Sequence, residues 1–275
     1  MKRLYELAHL SMISVPPARL AAVAAEAEFD FTGFRLTPSP STGIDHKVLG
    51  DDRALESLRR AVQDEGISVL DVEVIRMSGP SAVEASRPLL EAAQALGARY
   101  VIATVEDDDE SRRIDTLAQV AELAAEHGTF IAVEFMLFSA VKDLATCVQI
   151  VEQCGAPNVV VLADSLHLER SGGHPNDLRK YPWELFPYAQ ICGAPGAGPA
   201  ANAHAARGEG VRGRLMPDEG DLPVREFIAA LSPETILSVE SPLVGQSDPG
   251  DPMALARKLL ASARRVAGEI GSEAA

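Results

Sequence analysis

The chain has 275 residues, 47 % apolar and 24 % charged, and its 25 lysines and arginines against 40 aspartates and glutamates give a formal net charge of −15. Such a field repels phosphate backbones and anionic bilayers, so neither nucleic-acid binding nor membrane association is expected. No run approaches the roughly 18 apolar residues of a membrane span, and Glu6, His9, Pro16-Pro17 and Arg19 interrupt any signal-like stretch, so the protein is expected to be soluble and cytoplasmic.

Short apolar runs alternate with longer amphipathic ones from end to end. Leu7–Ile13 reads as a first strand and Pro17–Ala27 as the helix after it. The next pairs are Phe29–Leu36 with Asp51–Glu65, Ser68–Ile75 with Ser81–Leu96, and Tyr100–Val105 with Glu110–Glu126. Phe130–Phe135 precedes Ala140–Cys154, and Val159–Asp164 precedes the short segment Asn176–Tyr181. Tyr188–Cys192 with Pro223–Leu231, then Thr235–Glu240 with Pro252–Ala267, complete the series. Gly66, Gly97, Gly128 and Gly155 stand where helices stop.

Eight strands each followed by a helix predict parallel β-α-β units, and the length suits a closed (β/α)8 barrel of about 250 residues. An open doubly wound sheet is the alternative, but no G-x-G-x-x-G follows the first strand. Residues 1–270 are therefore expected to form one α/β barrel domain, with a frayed tail over 271–275. Cys147, Cys154 and Cys192, odd in number and without C-x-x-C spacing, are expected to be reduced. "EDDDE" (Glu106 to Glu110) lacks the alternating ligands and central glycine of a calcium loop and is expected to cap the next helix.

In such barrels chemistry sits at the C-terminal ends of the strands. Strand five, "FIAVEF", carries Glu134; strand six carries Asp164; strand seven, "YAQICG", carries Gln190; strand eight, "TILSVES", ends in Glu240. Three carboxylates and an amide brought together need a positive partner, and an all-oxygen set suits Mg²⁺ or Mn²⁺ better than Zn²⁺ or Co²⁺. His167, three residues past Asp164, is expected at the mouth, against substrate or as a hydrogen-bond partner of Asp164. Arg207 and Arg214 on the long loop after strand seven suit a carboxylate or phosphate, or neutralise the acidic rim. His9, Arg35, Glu73 and Arg76 are further candidates to line the mouth, with packing or ion pairing as their ordinary reading; Trp183 is a wall or plain packing.

The order Glu134, then "LADSLH", Gln190, "RLMPDEGDLPVREF" and "LSVES" resembles the xylose isomerase-like barrel superfamily, along nearly the whole chain. More narrowly it is similar to the sugar phosphate isomerases and epimerases, near ketose epimerases, inosose isomerases and dehydratases, and 3-dehydroshikimate dehydratases. The resemblance places Glu134, Asp164, Gln190 and Glu240 at the four metal positions, and His167 and Arg214 at substrate-binding ones. Glutamine in place of the commoner histidine is similar to the dehydroshikimate dehydratases. Two departures stand out: Gly193 where relatives often carry aspartate, and Asp218 where they often carry glycine.

These readings lead to one expected chemistry. A divalent metal holds and polarises a sugar or related polyhydroxy keto compound, or a keto acid, and Glu134 and Glu240 move a proton through an enediolate. The outcome is isomerisation or epimerisation, or loss of water (a lyase) where a hydroxyl lies β to the enolate. A catalytically inactive barrel serving as a subunit or binding module is the rival of another class, and a homo-oligomer is compatible with either. The zinc-cluster endonucleases of the same superfamily need many histidines and a basic groove, against six scattered histidines here.

Overall fold

The computed structural model describes residues 3–199, 203–245 and 249–269. Among them, eight strands pair in chain order: β1 (Tyr5–Leu7), β2 (Phe31–Arg35), β3 (Ser68–Met77), β4 (Tyr100–Val105), β5 (Phe130–Glu134), β6 (Val159–Asp164), β7 (Tyr188–Ile191) and β8 (Ile236–Val239). Every pairing is parallel, and β8 returns to β1, so the sheet closes into a barrel without an edge.

The helices around it are α1 (Pro17–Glu26), α2 (Asp52–Glu65), α3 (Ala82–Leu96), α4 (Glu110–Glu126), α5 (Leu144–Cys154), α6 (Ser165–Arg170), α7 (Ala203–Arg212), α8 (Val224–Ala230) and α9 (Pro252–Val266). Aspartates start several of them, because a carboxylate satisfies amides that have no intrahelical partner. Asp51, Asp109, Asp143 and Asp251 each accept a backbone N–H in the first turn. The capping expected of "EDDDE" is thus made by Asp109. Gly66 and Gly97 end α2 and α3 at φ 66° and 68°, a left-handed conformation that a side chain would strain.

The first strand is shorter and earlier than the apolar pattern suggests. After Leu7 the chain leaves the sheet and His9–Met12 coil into a 3₁₀ turn. Ser11 explains the departure: its hydroxyl donates to Val239 O at 2.8 Å and accepts from Ser241 N at 2.8 Å, tying the turn to the end of β8. Asn176–Tyr181 is likewise a 3₁₀ segment (Pro175–Lys180), and α6 directly follows β6. The long loop after β7 contains α7, which its glycines conceal. The expected tail, 271–275, lies outside the described residues.

Two apolar shells hold the barrel. Outward strand residues such as Val101, Val133, Val161 and Leu237 pack under the helices. Inward, Phe31, Leu70, Ile102, Ala132, Val160, Leu162, Tyr188 and Ile236 fill the lumen. Each fully buried Leu, Ile or Val stabilises the fold by about 1.5–3 kcal/mol relative to exposure. Tyr100 and Tyr188 stack at 4.7 Å, so the lumen is packed here and the open cleft lies at the other end. Trp183, in a 3₁₀ turn just before β7, is 54 % exposed and lies among neither the lumen nor the cleft residues. Cys147, Cys154 and Cys192 are free thiols in the structure.

Candidate active site

The strand ends deliver the acids to one place. Asp164 pairs with Gln190 in the β6–β7 ladder, and Gln190 pairs with Ser238, two residues before Glu240. Glu134 is the last residue of β5. All four side chains are buried.

Asp164 does two jobs because β6 runs straight into α6. One oxygen caps that helix, accepting from Leu166 N at 2.6 Å and His167 N at 3.1 Å. The other accepts from Arg214 at 2.5 Å. The same guanidinium reaches Glu240 at 2.8 Å, and its Nε donates to Gly210 O at 2.8 Å. Arg214 is held there by backbone pairing of the segments after β7 and β8, since its N–H donates to Pro242 O and its carbonyl accepts from Val244 N. A side chain expected to reach substrate is thus 1 % exposed and bridges two of the expected metal ligands.

Glu240 gives its second oxygen to Gln190 Nε2 at 3.0 Å. Gln190 Oε1 is buried with no hydrogen-bond partner among the described residues. Glu134 is less committed: His167 Nε2 lies 3.6 Å from its Oε1. Glu134, Asp164 and His167 each offer a ligand atom within 4.8 Å of the others, a group that Glu240 does not join.

Burial dominates the electrostatics. It raises Glu134 well above the usual carboxylate range, reinforced by Glu240 and Asp164. It pushes Glu240 up to about 8, with Glu73 and Asp164 adding to it and Arg214 opposing. Burial would raise Asp164 too, but Arg214 and His167 outweigh it and hold this carboxylate below its ordinary value. Burial brings His167 down to about 4, against the pull of Asp164, so its imidazole is neutral at physiological pH.

These features bear on a divalent cation. Three buried carboxyl groups share one guanidinium, so two of them stay ionised only if further positive charge arrives, and Gln190 Oε1 is a desolvated acceptor without a partner among the described residues. Charge and donor chemistry therefore fit a hard cation.

Arg35, Glu73, His167, Arg207 and Arg214 all line the cleft above these acids, with Arg76, Thr104 and Phe138. His9 does not. It follows β1 on the 3₁₀ turn, its Nε2 bonds Val15 O at 2.8 Å and its Nδ1 accepts from Arg35 N at 3.0 Å, so both ring nitrogens serve the fold. Its ring stacks on His46 at 4.9 Å. Glu73 and Arg35 are joined at 2.5 Å. Gly193 has no room for a side chain, since a Cβ there would lie 2.1 Å from Glu219 O and 2.2 Å from Met216 O. Asp218 fastens the same turn to α9, accepting from Arg265 Nε at 2.6 Å and from the Ser262 hydroxyl.

Sequence reasoning missed Phe138, which packs edge-on to His167 at 5.6 Å, and the buried acids Glu6 and Asp71 inside β1 and β3. The signal for the acids was present, since charged residues within the apolar runs of a parallel sheet are unusual.

A sequence profile of the xylose isomerase-like TIM barrel family matches residues 21–265. The chain belongs to this family. No curated protein matches it by sequence. Among solved xylose isomerase-like barrels, the IOLI protein with a bound zinc atom is 15 % identical at TM-score 0.79, with 98 % of this chain and 99 % of that one covered. The probable 3-DHS dehydratase AsbF of Bacillus anthracis is 14 % identical at TM-score 0.70, covering 95 % and 99 %. D-psicose 3-epimerase of Clostridium cellulolyticum H10 is 14 % identical at TM-score 0.71, covering 96 % and 98 %. The chain spans only 43 % of a further match, a fusion of such a barrel with 4-hydroxyphenylpyruvate dioxygenase, at 20 % identity and TM-score 0.79. At these identities the neighbours establish the xylose isomerase-like fold, and some of them are isomerising or dehydrating enzymes by name.

Proposed function

We propose that this barrel is a divalent-metal-dependent isomerase or epimerase, acting on a polyhydroxy carbonyl compound by moving a proton on the carbon next to the carbonyl. The observation that carries the reading is the convergence of Glu134, Asp164, Gln190 and Glu240 at one end of the barrel, beside a neutral His167. Glu134, Asp164, Gln190 and Glu240 would hold Mn²⁺ or Mg²⁺, with His167 in reach, and the bound ion supplies carbonyl polarisation and charge neutralisation.

The chain's own residues do the proton work. Glu134, free of strong hydrogen bonds, would take the proton from carbon once a bound cation offsets the burial that otherwise keeps it protonated. Neutral His167 donates a hydrogen bond to a substrate oxygen, and the buried walls exclude water from the reacting carbon. Return of the proton from Glu134 to the adjacent carbon, with the hydroxyl proton passing to the former carbonyl oxygen, isomerises; delivery of a proton from Glu240 to the opposite face of the same carbon epimerises.

A second reading, a dehydratase, has an observation of its own. Both oxygens of Glu240 are already hydrogen-bonded, to Arg214 and Gln190, which leaves Glu134 as the one loosely held carboxylate. A single base suffices for elimination: Glu134 takes the carbon-bound proton and the β-hydroxyl leaves as water with a proton from a neighbouring acid. Incubation of Mn²⁺- or Mg²⁺-loaded protein in D₂O with ketoses, inososes and dehydroshikimate tests both. Deuterium in recovered substrate or its isomer supports the first reading, conjugated absorbance supports the second, and neither signal with any substrate refutes proton-transfer chemistry on these compounds.

A further inference from the structure

The cleft mouth carries a feature that its own acids do not explain. Arg35 from β2, Arg76 from β3 and Arg207 from α7 all line it, on a molecule whose net charge is −15. Arg35 is matched by Glu73 at 2.5 Å. Arg76 is matched more loosely: its ion pair with Glu106 is long, at 3.8 Å, and its other contact is Pro38 O at 3.5 Å. Among the described residues no carboxylate pairs with Arg207, whose guanidinium instead lies 4.9 Å over the Phe138 ring.

Arg76 and Arg207 wall the same two hollows, and Arg76 is lowered by burial first, then by Arg35 and, less, by Arg207, with Glu106 and Glu73 opposing. Two like charges held together without full counter-ions cost free energy unless a ligand supplies the missing charge. Their position also matters. The inner cleft above Glu134 and an outer hollow that adds Lys142 share Arg76, Glu106, Phe138, Ser139 and Arg207 as walls. Glu106, and Asp108 in the outer hollow, are the acids a ligand would meet there. Phe138 stacks under Arg207 and packs against His167, which approaches Glu134. A group held by the two guanidiniums therefore sits in the same cleft as the proposed proton-transfer site, with Phe138 and His167 between Arg207 and Glu134.

We propose that Arg76 and Arg207 form the seat of an anionic group on the substrate, a carboxylate or a phosphate, so that the substrate is a sugar acid, keto acid or sugar phosphate rather than a neutral sugar. Guanidinium forks match the paired oxygens of either anion, and Phe138 fixes the plane of one fork. This rests on the proton-transfer reading above for its location, but anion capture itself requires no turnover.

The test is calorimetric titration of the full-length protein with inorganic phosphate, with D-glycerate and with neutral xylitol, in wild type and in Arg76→Gln, Arg207→Gln and the double variant. At least one anion is expected to bind in preference to xylitol, at least tenfold weaker in each single variant and undetectably in the double variant. Arg207→Lys is expected to retain part of the affinity, and unchanged thermal unfolding separates lost binding from lost fold. Phosphate or glycerate, whichever binds tighter, assigns the headgroup. Equal binding of xylitol, no anion binding, or anion binding unaffected in the double variant would overturn the proposal. Anion capture without deuterium exchange on any carbonyl compound would leave this seat standing and remove the proton-transfer reading; exchange on neutral ketoses, untouched by the arginine variants, would do the reverse.

Discussion

At Glu134 and Asp164, two buried acids of one cleft differ in how many hydrogen bonds hold them. Asp164 caps α6 and binds Arg214, while Glu134 has only the 3.6 Å approach of His167. Glu134→Gln is therefore expected to leave the unfolding midpoint within experimental error of wild type, while turnover of whichever substrate the exchange screen identifies falls by about 10²-fold or more. Asp164→Asn is expected to do the opposite first. It removes the charge facing a buried guanidinium, a loss of about 3–5 kcal/mol that urea denaturation would register. Gly193→Asp is expected to destabilise by about 1–3 kcal/mol, because its Cβ would meet two backbone carbonyls. The identities at strand ends were legible from sequence, since β-α spacing fixes which residue tops each strand. Their partners were not: nothing in "GVRGRLM" says that Arg214 turns inward to Asp164 and Glu240.

Among the elements, α7 shows where sequence reading ended. "AHAARGEGVR" carries two glycines and a weak apolar stripe, so intrinsic preference argues against a helix. Tertiary contacts decide otherwise: Arg170 on α6 grips Glu209 through two hydrogen bonds at 2.9 and 2.7 Å, and Gly210 lets the helix pass close over His167 and Phe138. Arg170→Ala is expected to release α7, seen as faster amide hydrogen exchange confined to residues 203–212, with about 1.5–3 kcal/mol lost from that local stability. By contrast β4, β6 and α4 have the bounds that their periodicity predicts, because a run buried on both faces, or a helix with an aspartate cap, leaves no competing local structure. β1 failed that test for a local reason, the Ser11 hydroxyl that bonds β8 and pulls the chain out of the sheet.

For the molecule as a whole, the barrel concentrates buried carboxyl groups along its axis. Below the cleft, Glu6 is fully buried, and Gly33 leaves no room for a side chain, since a Cβ there would lie 2.5 Å from both Glu6 and Asp71. Burial, with repulsion from Glu73 and Glu240, lifts Glu6 from an ordinary 4.5 to about 8, opposed by Ser238. The folded protein thus holds a proton that the unfolded chain releases, so this contribution to stability is complete below about pH 4.5 and is lost as pH rises through 8. Urea midpoints at pH 5 and pH 8.5 are expected to fall with pH in wild type and to fall less in Glu6→Gln. The same logic governs the cleft end, where a buried cluster of acids shares one guanidinium and ionises fully only with more positive charge. Equilibrium dialysis against Mn²⁺ measures that need directly: the account predicts one tightly held ion per chain in wild type and at least tenfold weaker binding in Glu134→Gln, whereas no bound ion, or equal affinity in the two proteins, would contradict it.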